Sequence, residues 1–162
     1  MNEQLIERIR SLATSRYGSL TSPRFDFVVE AMKARPYGPF ERELQTSFEF
    51  DEDTDPDDDV SFGYVLSQDG TRWVLRVSMV GPFALLMKLN GDERCEVISC
   101  LDEVAVPGDR QLLEMLKRYG IVALSRDVLE SPMELMLPNT SAEESQIYQV
   151  LFTDSDVLPW NH

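Results

Sequence analysis

The sequence predicts an α+β fold: N-terminal helices, then an antiparallel β-meander, then C-terminal helices packed on the sheet and a final strand. Three patterns support this: helical spacing of apolar residues at each end of the chain, strict alternation in its middle, and turn residues between the alternating runs. We expect a helical part at about 2–35, a sheet at about 43–99 and a helix/strand part at about 107–160. The 162 residues, 43% of them hydrophobic, suit a single domain spanning 1–162.

Two amphipathic patterns predict the N-terminal helices. Asn2 can cap a first helix that runs to about Arg16. Ser22 followed by Pro23 is typical of a second helix start, since proline suits the first helical position. The apolar stripe of this second helix is Phe27, Val28, Ala31 and Met32. We expect the segment Pro36–Pro39 to end it and to act as a linker.

Alternation of apolar and polar residues predicts the strands of the meander. A first strand is expected at Leu44–Phe50. Asp69-Gly70 is a strong signal for a two-residue hairpin turn, with Gln68 paired with Thr71. In that register eight apolar residues share one face of the sheet. They are Val60, Phe62, Tyr64, Leu66, Trp73, Leu75, Val77 and Met79.

Asn90-Gly91 predicts a second hairpin, with Leu89 paired with Asp92 and Lys88 opposite Glu93. The strand before this turn is apolar on both sides, so we expect it to be covered on both faces.

The last third of the chain predicts two helices and a strand. Pro107 opens a helix that Gly120 closes, and Ser125 caps a short helix. The apolar run Ile147–Phe152 is expected to form the final strand. Trp160 lies in the tail that follows, where packing onto the fold is favoured over anchoring a partner.

The net charge of the chain favours some kinds of partner and disfavours others. Asp and Glu total 29 against 15 Lys and Arg, a net charge of −14. This charge repels phosphate backbones and anionic membranes, so we expect neither nucleic acid nor a membrane as partner. It would attract a basic protein. Keeping the chain in solution would also explain an acidic surface, and the sequence leaves both interpretations open.

The sequence contains no motif for catalysis or for a cofactor. The nucleophile-elbow, P-loop and dinucleotide glycine patterns are missing, and the single histidine, His162, ends the chain. Cys95 and Cys100 are too few for a disulfide scaffold and do not have zinc-site spacing. We therefore expect a non-enzyme without cofactors or metal. No signal peptide or apolar run of about 20 residues is found, which predicts a cytoplasmic location.

Eight of the acids lie between Glu49 and Asp59. Acids at 51, 53 and 55 match the first ligand positions of an EF-hand loop, but Pro56 stands where glycine is needed and Phe62 where glutamate is needed. Weak calcium binding remains an alternative. The segment Asp51–Asp59 is either a solvated connection or a surface that imitates a polyanion for a basic partner.

The segment Ile147–Trp160 combines an apolar run with Leu-Phe-Thr-Asp-Ser-Asp and, one residue later, Leu-Pro-Trp. It resembles the C-terminal end of small acidic immunity proteins of bacterial polymorphic-toxin and contact-dependent inhibition systems. The turn at Tyr119-Gly120 and the short helix near Leu124–Leu129 are similar as well. The resemblance implies a cytoplasmic protein, not catalytic itself, that neutralises a cognate toxin by occluding its active or essential surface. Many such toxins are nucleases, which need basic surfaces.

We therefore expect an immunity-type binding protein whose partner is basic, such as a secreted toxin domain. A protein-binding adaptor with another partner is the main alternative, and a carboxylate-based enzyme or a calcium-binding protein is a weaker one. The candidate partner-binding residues form a loop group and a tail group. They are Asp51, Glu52, Asp53, Asp55, Asp57, Asp58 and Asp59, and then Asp154 and Asp156.

Overall fold

A computed structural model describes residues 2–91 and 94–161 of the chain. Its helices are α1 (Asn2–Tyr17), α2 (Asp26–Ala34), α3 (Gly38–Ser47), α4 (Pro107–Arg118), α5 (Arg126–Leu129) and α6 (Ile147–Leu151). Its strands are β1 (Glu49–Glu52), β2 (Ser61–Gln68), β3 (Thr71–Ser78), β4 (Phe83–Leu89), β5 (Cys95–Val97) and β6 (Val122–Ala123). The predicted α+β class and order of parts are confirmed. In the described chain, no helix is both long and apolar enough to cross a membrane.

Strands β1 to β5 form the predicted antiparallel meander. Strand β6 pairs in parallel with the start of β4, on the edge of β4 that also pairs with β5. The register of the first hairpin is confirmed, since Gln68 is level with Thr71. Asp69 and Gly70 both have positive φ, 51° and 80°, as a hairpin turn of this type requires. Gly70 adopts this conformation without steric cost. All eight residues predicted to share a face are buried.

The predicted register of the second hairpin is wrong. Cys95 rather than Asp92 is level with Leu89, and Glu96 lies opposite Lys88. Asp92 and Glu93 lie outside the described residues. The predicted register would have set Glu96 opposite Leu85, which is fully buried on the other face of the sheet. The observed shift avoids burying that carboxylate.

The predicted strand at Leu44–Phe50 is mostly helix, because α3 continues to Ser47 and β1 begins only at Glu49. Pro39 does not belong to a linker, because it lies in the first turn of α3. A backbone N–H at this position would have no partner within the helix, so proline costs no hydrogen bond there. Phe40 and Leu44, four residues apart, then form a buried helical face.

The predicted final strand at Ile147–Phe152 is also wrong, because its first five residues form α6. Every residue of this helix is buried. A short, mostly apolar run gives no period that distinguishes a buried helix from a buried strand.

Helix α2 begins at Asp26 rather than at Pro23. The residues before it form a turn around Ser19, whose hydroxyl oxygen accepts hydrogen bonds from the backbone N–H groups of Thr21 and Ser22. Ser22 therefore takes part in a turn instead of capping the helix.

Helices cover both faces of the sheet. On one face Phe48, just after α3, packs edge-on against Trp73 with ring centroids 5.5 Å apart. On the other face Arg8 of α1 lies over the ring of Phe83 in β4. The Tyr17 hydroxyl joins α1 to α6, because it donates to the carbonyl of Val150 at 2.6 Å. Strand β4 is therefore buried along almost its whole length, as predicted. The buried apolar residues form one cluster.

A buried ion pair joins α4 to the sheet. Asp109, in the first turn of α4, is fully buried and accepts hydrogen bonds from Lys88 Nζ and Trp73 Nε1, each at 2.8 Å. It also accepts bonds from the backbone N–H groups of Ala105 and Val106. Burial alone would raise the pKa of Asp109, but the Lys88 ammonium and the other donors outweigh it and hold the pKa below its usual value.

Replacing Asp109 by asparagine (Asp109→Asn) should destabilise the fold by about 3–5 kcal/mol, because it leaves the buried Lys88 ammonium without its counter-charge. The double variant Lys88→Met, Asp109→Asn should regain much of that loss, since it buries no unpaired charge. Urea unfolding measures both, and an equal loss in the single and the double variant would contradict the ion-pair account.

The same pair predicts a pH dependence with a definite sign. Because the pKa of Asp109 is lower in the folded state, its contribution is complete above the unfolded pKa of about 3.9 and is lost as the pH falls through the folded pKa. The stability gap between the wild type and Asp109→Asn should therefore shrink below about pH 4, as urea unfolding over a pH series would show.

Candidate functional site

The two groups of candidate acids lie side by side in the fold. Asp59 and Thr153 form an antiparallel bridge, and the N–H of Val60 donates to the carbonyl of Phe152 at 3.0 Å. This contact fixes the tail residue Asp154 next to the acidic connection between β1 and β2. Residues far apart in sequence therefore form one negative surface.

A cleft of about 680 Å³ opens between this surface and helix α2, and we name it the acidic cleft. Its main apolar lining residues are Phe25, Val28, Val29, Met32, Leu137 and Pro138. Its acidic lining residues are Asp57, Asp58, Asp59 and Asp154. Within the part of the lining that the structure describes, Lys33 is the one basic residue. The site is thus an apolar surface bordered by carboxylates.

Helix α2, together with Phe25 just before it, presents apolar residues on two sides. Phe27 and Val28 are buried, and Phe27 packs edge-on against Tyr17 with ring centroids 5.0 Å apart. Phe25 and Val29, which lie four residues apart and line the cleft, are 38% and 59% exposed. The predicted stripe included Val28 and Met32 of the cleft lining but missed Phe25 and Val29, although apolar residues at these two positions are visible in the sequence.

Glu52, a candidate partner-binding residue, is exposed but forms an ion pair within the molecule. The Arg35 guanidinium binds Glu52, with Nη1 and Oε2 3.0 Å apart, and also binds Glu41 at 2.7 Å. Burial alone would raise the pKa of Glu52, but the bonds from Arg35 and Thr54 outweigh it and hold the pKa below its usual value. Arg35 also lies 4.9 Å from the ring centroid of Phe62. Glu52 therefore ties β1 to the end of α2.

Asp59 and Asp154 combine an internal role with a place in the cleft. Asp59 is buried, 3.4 Å from Arg76 Nη1, and burial raises the pKa of Asp59. The Asp154 carboxylate accepts bonds from the N–H of Asn139 and the hydroxyl of Thr140, each at 2.7 Å. These bonds hold the residue 137–140 segment against the cleft.

The remaining loop acids are exposed. Within the described chain, no basic side chain lies at ion-pair distance from Asp51, Asp53, Asp55, Asp57 or Asp58. The backbone N–H groups of Asp58 and Asp59 both donate to the carbonyl of Asp55, which makes a tight turn. The nearby charge of Asp55 raises the pKa of Asp58. The carboxylates in this turn therefore repel one another. Asp156, in the tail, is exposed too.

Trp160 is packed into the fold, as predicted. It is 8% exposed and lies edge-on to Tyr148 with ring centroids 5.2 Å apart. It is therefore not an exposed anchor for a partner.

Within residues 2–91 and 94–161, no group of three or more His, Cys, Asp or Glu side chains is placed to hold a metal ion. His162 lies outside the described residues. Comparison with protein-family models, curated proteins and solved structures finds no match for this chain. The geometry of the acidic cleft is thus the basis for a functional proposal.

Replacing Asp55 by asparagine should lower the pKa of Asp58 toward the usual aspartate value of about 3.9, because the Asp55 charge is the main cause of the rise. The asparagine keeps a carbonyl oxygen for the N–H of Asp57, which Asp55 Oδ1 accepts at 3.2 Å. Carboxyl ¹³C NMR measures the titration. Asp57→Asn is the control and should have a smaller effect, and an unchanged pKa in Asp55→Asn would contradict this account.

Proposed function

We propose that this chain is an immunity-type binding protein that neutralises a cognate, basic toxin by occluding its active or essential surface. The observation that carries the proposal is the acidic cleft. Exposed carboxylates without a basic partner in the described chain lie next to an exposed apolar surface. A basic partner with an apolar contact residue would pair with the carboxylates and cover the apolar surface.

Electrostatics supports a charged partner on kinetic grounds. The net charge of −14 attracts a basic protein over long range, so association is fast and depends on salt. At physiological ionic strength the attraction is screened over about 8 Å. The exposed apolar residues then determine how slowly the complex dissociates, because buried apolar anchors dominate most interfaces.

Occlusion follows from the chemistry of such a partner. A toxin that acts on nucleic acid needs a basic surface to hold phosphates, and carboxylates compete for that surface. The Ile147–Trp160 segment, which carries the resemblance to immunity proteins, also supplies Asp154 to the cleft. The resemblance and the cleft therefore support the proposal at the same place in the fold.

The proposal is tested with the protein encoded beside this gene. Expressed alone in a heterologous bacterium, that protein should be toxic, and coexpression of this chain should abolish the toxicity through a stable complex. A harmless neighbour that this chain does not bind would contradict the immunity function. A harmless neighbour that it does bind would favour the adaptor alternative.

Reversing Asp51, Asp53, Asp57 and Asp58 to lysine should slow association with that basic partner by about tenfold or more at low salt, because it removes the steering charge. The effect should shrink as salt rises. Stopped-flow mixing measures the rate.

The matched control reverses Glu3, Asp102, Glu143 and Glu144, which are exposed and do not line the acidic cleft. It changes the net charge equally and should slow association much less. Equal slowing by both variants would show that total charge, and not this surface, steers the partner. Unchanged rates would exclude the loop from the interface.

A further inference from the structure

We infer that the acidic cleft accepts one aliphatic or aromatic side chain of the partner, flanked in the partner's sequence by lysine or arginine. The inference rests on the proposed function, because it specifies which part of a basic partner the chain holds. It would give the cleft selectivity beyond attraction for any cation.

The apolar part of the cleft supplies the anchor site. Val29 and Phe25 leave much of their surface in water, and Met32 and Leu137 lie beside them. Covering such a surface with an apolar side chain is favourable in proportion to the area removed from water. The volume of about 680 Å³ accommodates a side chain as large as leucine or phenylalanine.

The charged border determines what must flank the anchor. Asp57 and Asp58 are exposed and have no ion-pair partner among the described residues, while Lys33 is the one base in the lining. A lysine or arginine beside the anchor would bind these carboxylates through charge-assisted hydrogen bonds. It would also relieve the repulsion that raises the pKa of Asp58.

The structure holds this cleft in place before any partner arrives. Helix α2 is fixed at its end by the bonds of Arg35 to Glu52 and Glu41. On the opposite side, Asp154 holds the N–H of Asn139 at 2.7 Å, and Asn139 belongs to the cleft lining. A preformed site binds with a smaller loss of conformational entropy than a site that must be ordered.

A second cleft of about 550 Å³, between residues 99–101 and α4, lacks such selectivity. Its charged lining residues in the described chain are Glu114 and Lys117, of opposite sign. It therefore offers no net charge that would select a partner.

Two synthetic peptides test the inference. Both carry lysines around a central residue, which is leucine in one and serine in the other. In ¹⁵N NMR titrations the leucine peptide should perturb α2 and residues 55–60, and should bind about fivefold to tenfold more tightly than the serine peptide.

Val29→Ser should reduce the affinity for the leucine peptide to about that of the serine peptide. Val157→Ser is the matched control, since Val157 is 58% exposed and lies outside the cleft, and it should change nothing. The double variant Asp57→Asn, Asp58→Asn should weaken the binding of both peptides. Its substitutions lie outside α2, so this test does not depend on the packing of that helix. The pair Glu3→Gln with Asp102→Asn removes as much charge elsewhere and should weaken them less.

Equal binding of the two peptides, or equal effects of Val29→Ser and Val157→Ser, would overturn the anchor inference. Perturbations spread over the whole acidic surface would do the same. Binding of neither peptide would overturn it as well. Protection against a toxic neighbour in the coexpression experiment would still support the proposed function in each case, so the two failures are distinguishable.

Discussion

The main constraint on this structure is that acidic residues outnumber basic residues. With 29 acids and 15 bases, the chain cannot give every carboxylate a basic partner of its own. Two of its basic side chains lie where elements meet: Lys88 binds Asp109 between the sheet and α4, and Arg35 binds Glu52 between α2 and β1. Among the described residues, five carboxylates without an ion-pair partner lie within residues 51–58: Asp51, Asp53, Asp55, Asp57 and Asp58. The pairs that hold the fold together thus leave an excess of negative charge next to the acidic cleft.

Features that depend on neighbouring residues were predictable from the sequence. The Asp69-Gly70 turn and the alternation around it were sufficient for the register of the first hairpin. Features that depend on distant contacts were not. The prediction paired Lys88 with Glu93, but the structure buries Lys88 against Asp109, on a helix that comes later in the chain. Gly108 shows the same dependence: a Cβ there would lie 2.7 Å from Cζ2 of Trp73, so this glycine permits α4 to approach the sheet.

The candidate site was predictable only in part. The number of acidic residues in the sequence predicted the charged border of the cleft. It did not distinguish Glu52, which ties β1 to α2, from Asp57 and Asp58, which line the cleft. The apolar side was missed because the cleft is assembled from α2, the acidic connection and the residue 137–140 segment. Only the folded chain brings these segments together.

Hydrogen exchange of this chain, alone and with the product of the adjacent gene, tests most directly whether the acidic cleft is the docking surface. Docking at the acidic cleft should slow exchange at residues 25–33, 55–60 and 137–140, with little change elsewhere. Protection confined to the second cleft, at residues 99–101 and 113–123, would contradict it. So would binding that protects none of the cleft segments.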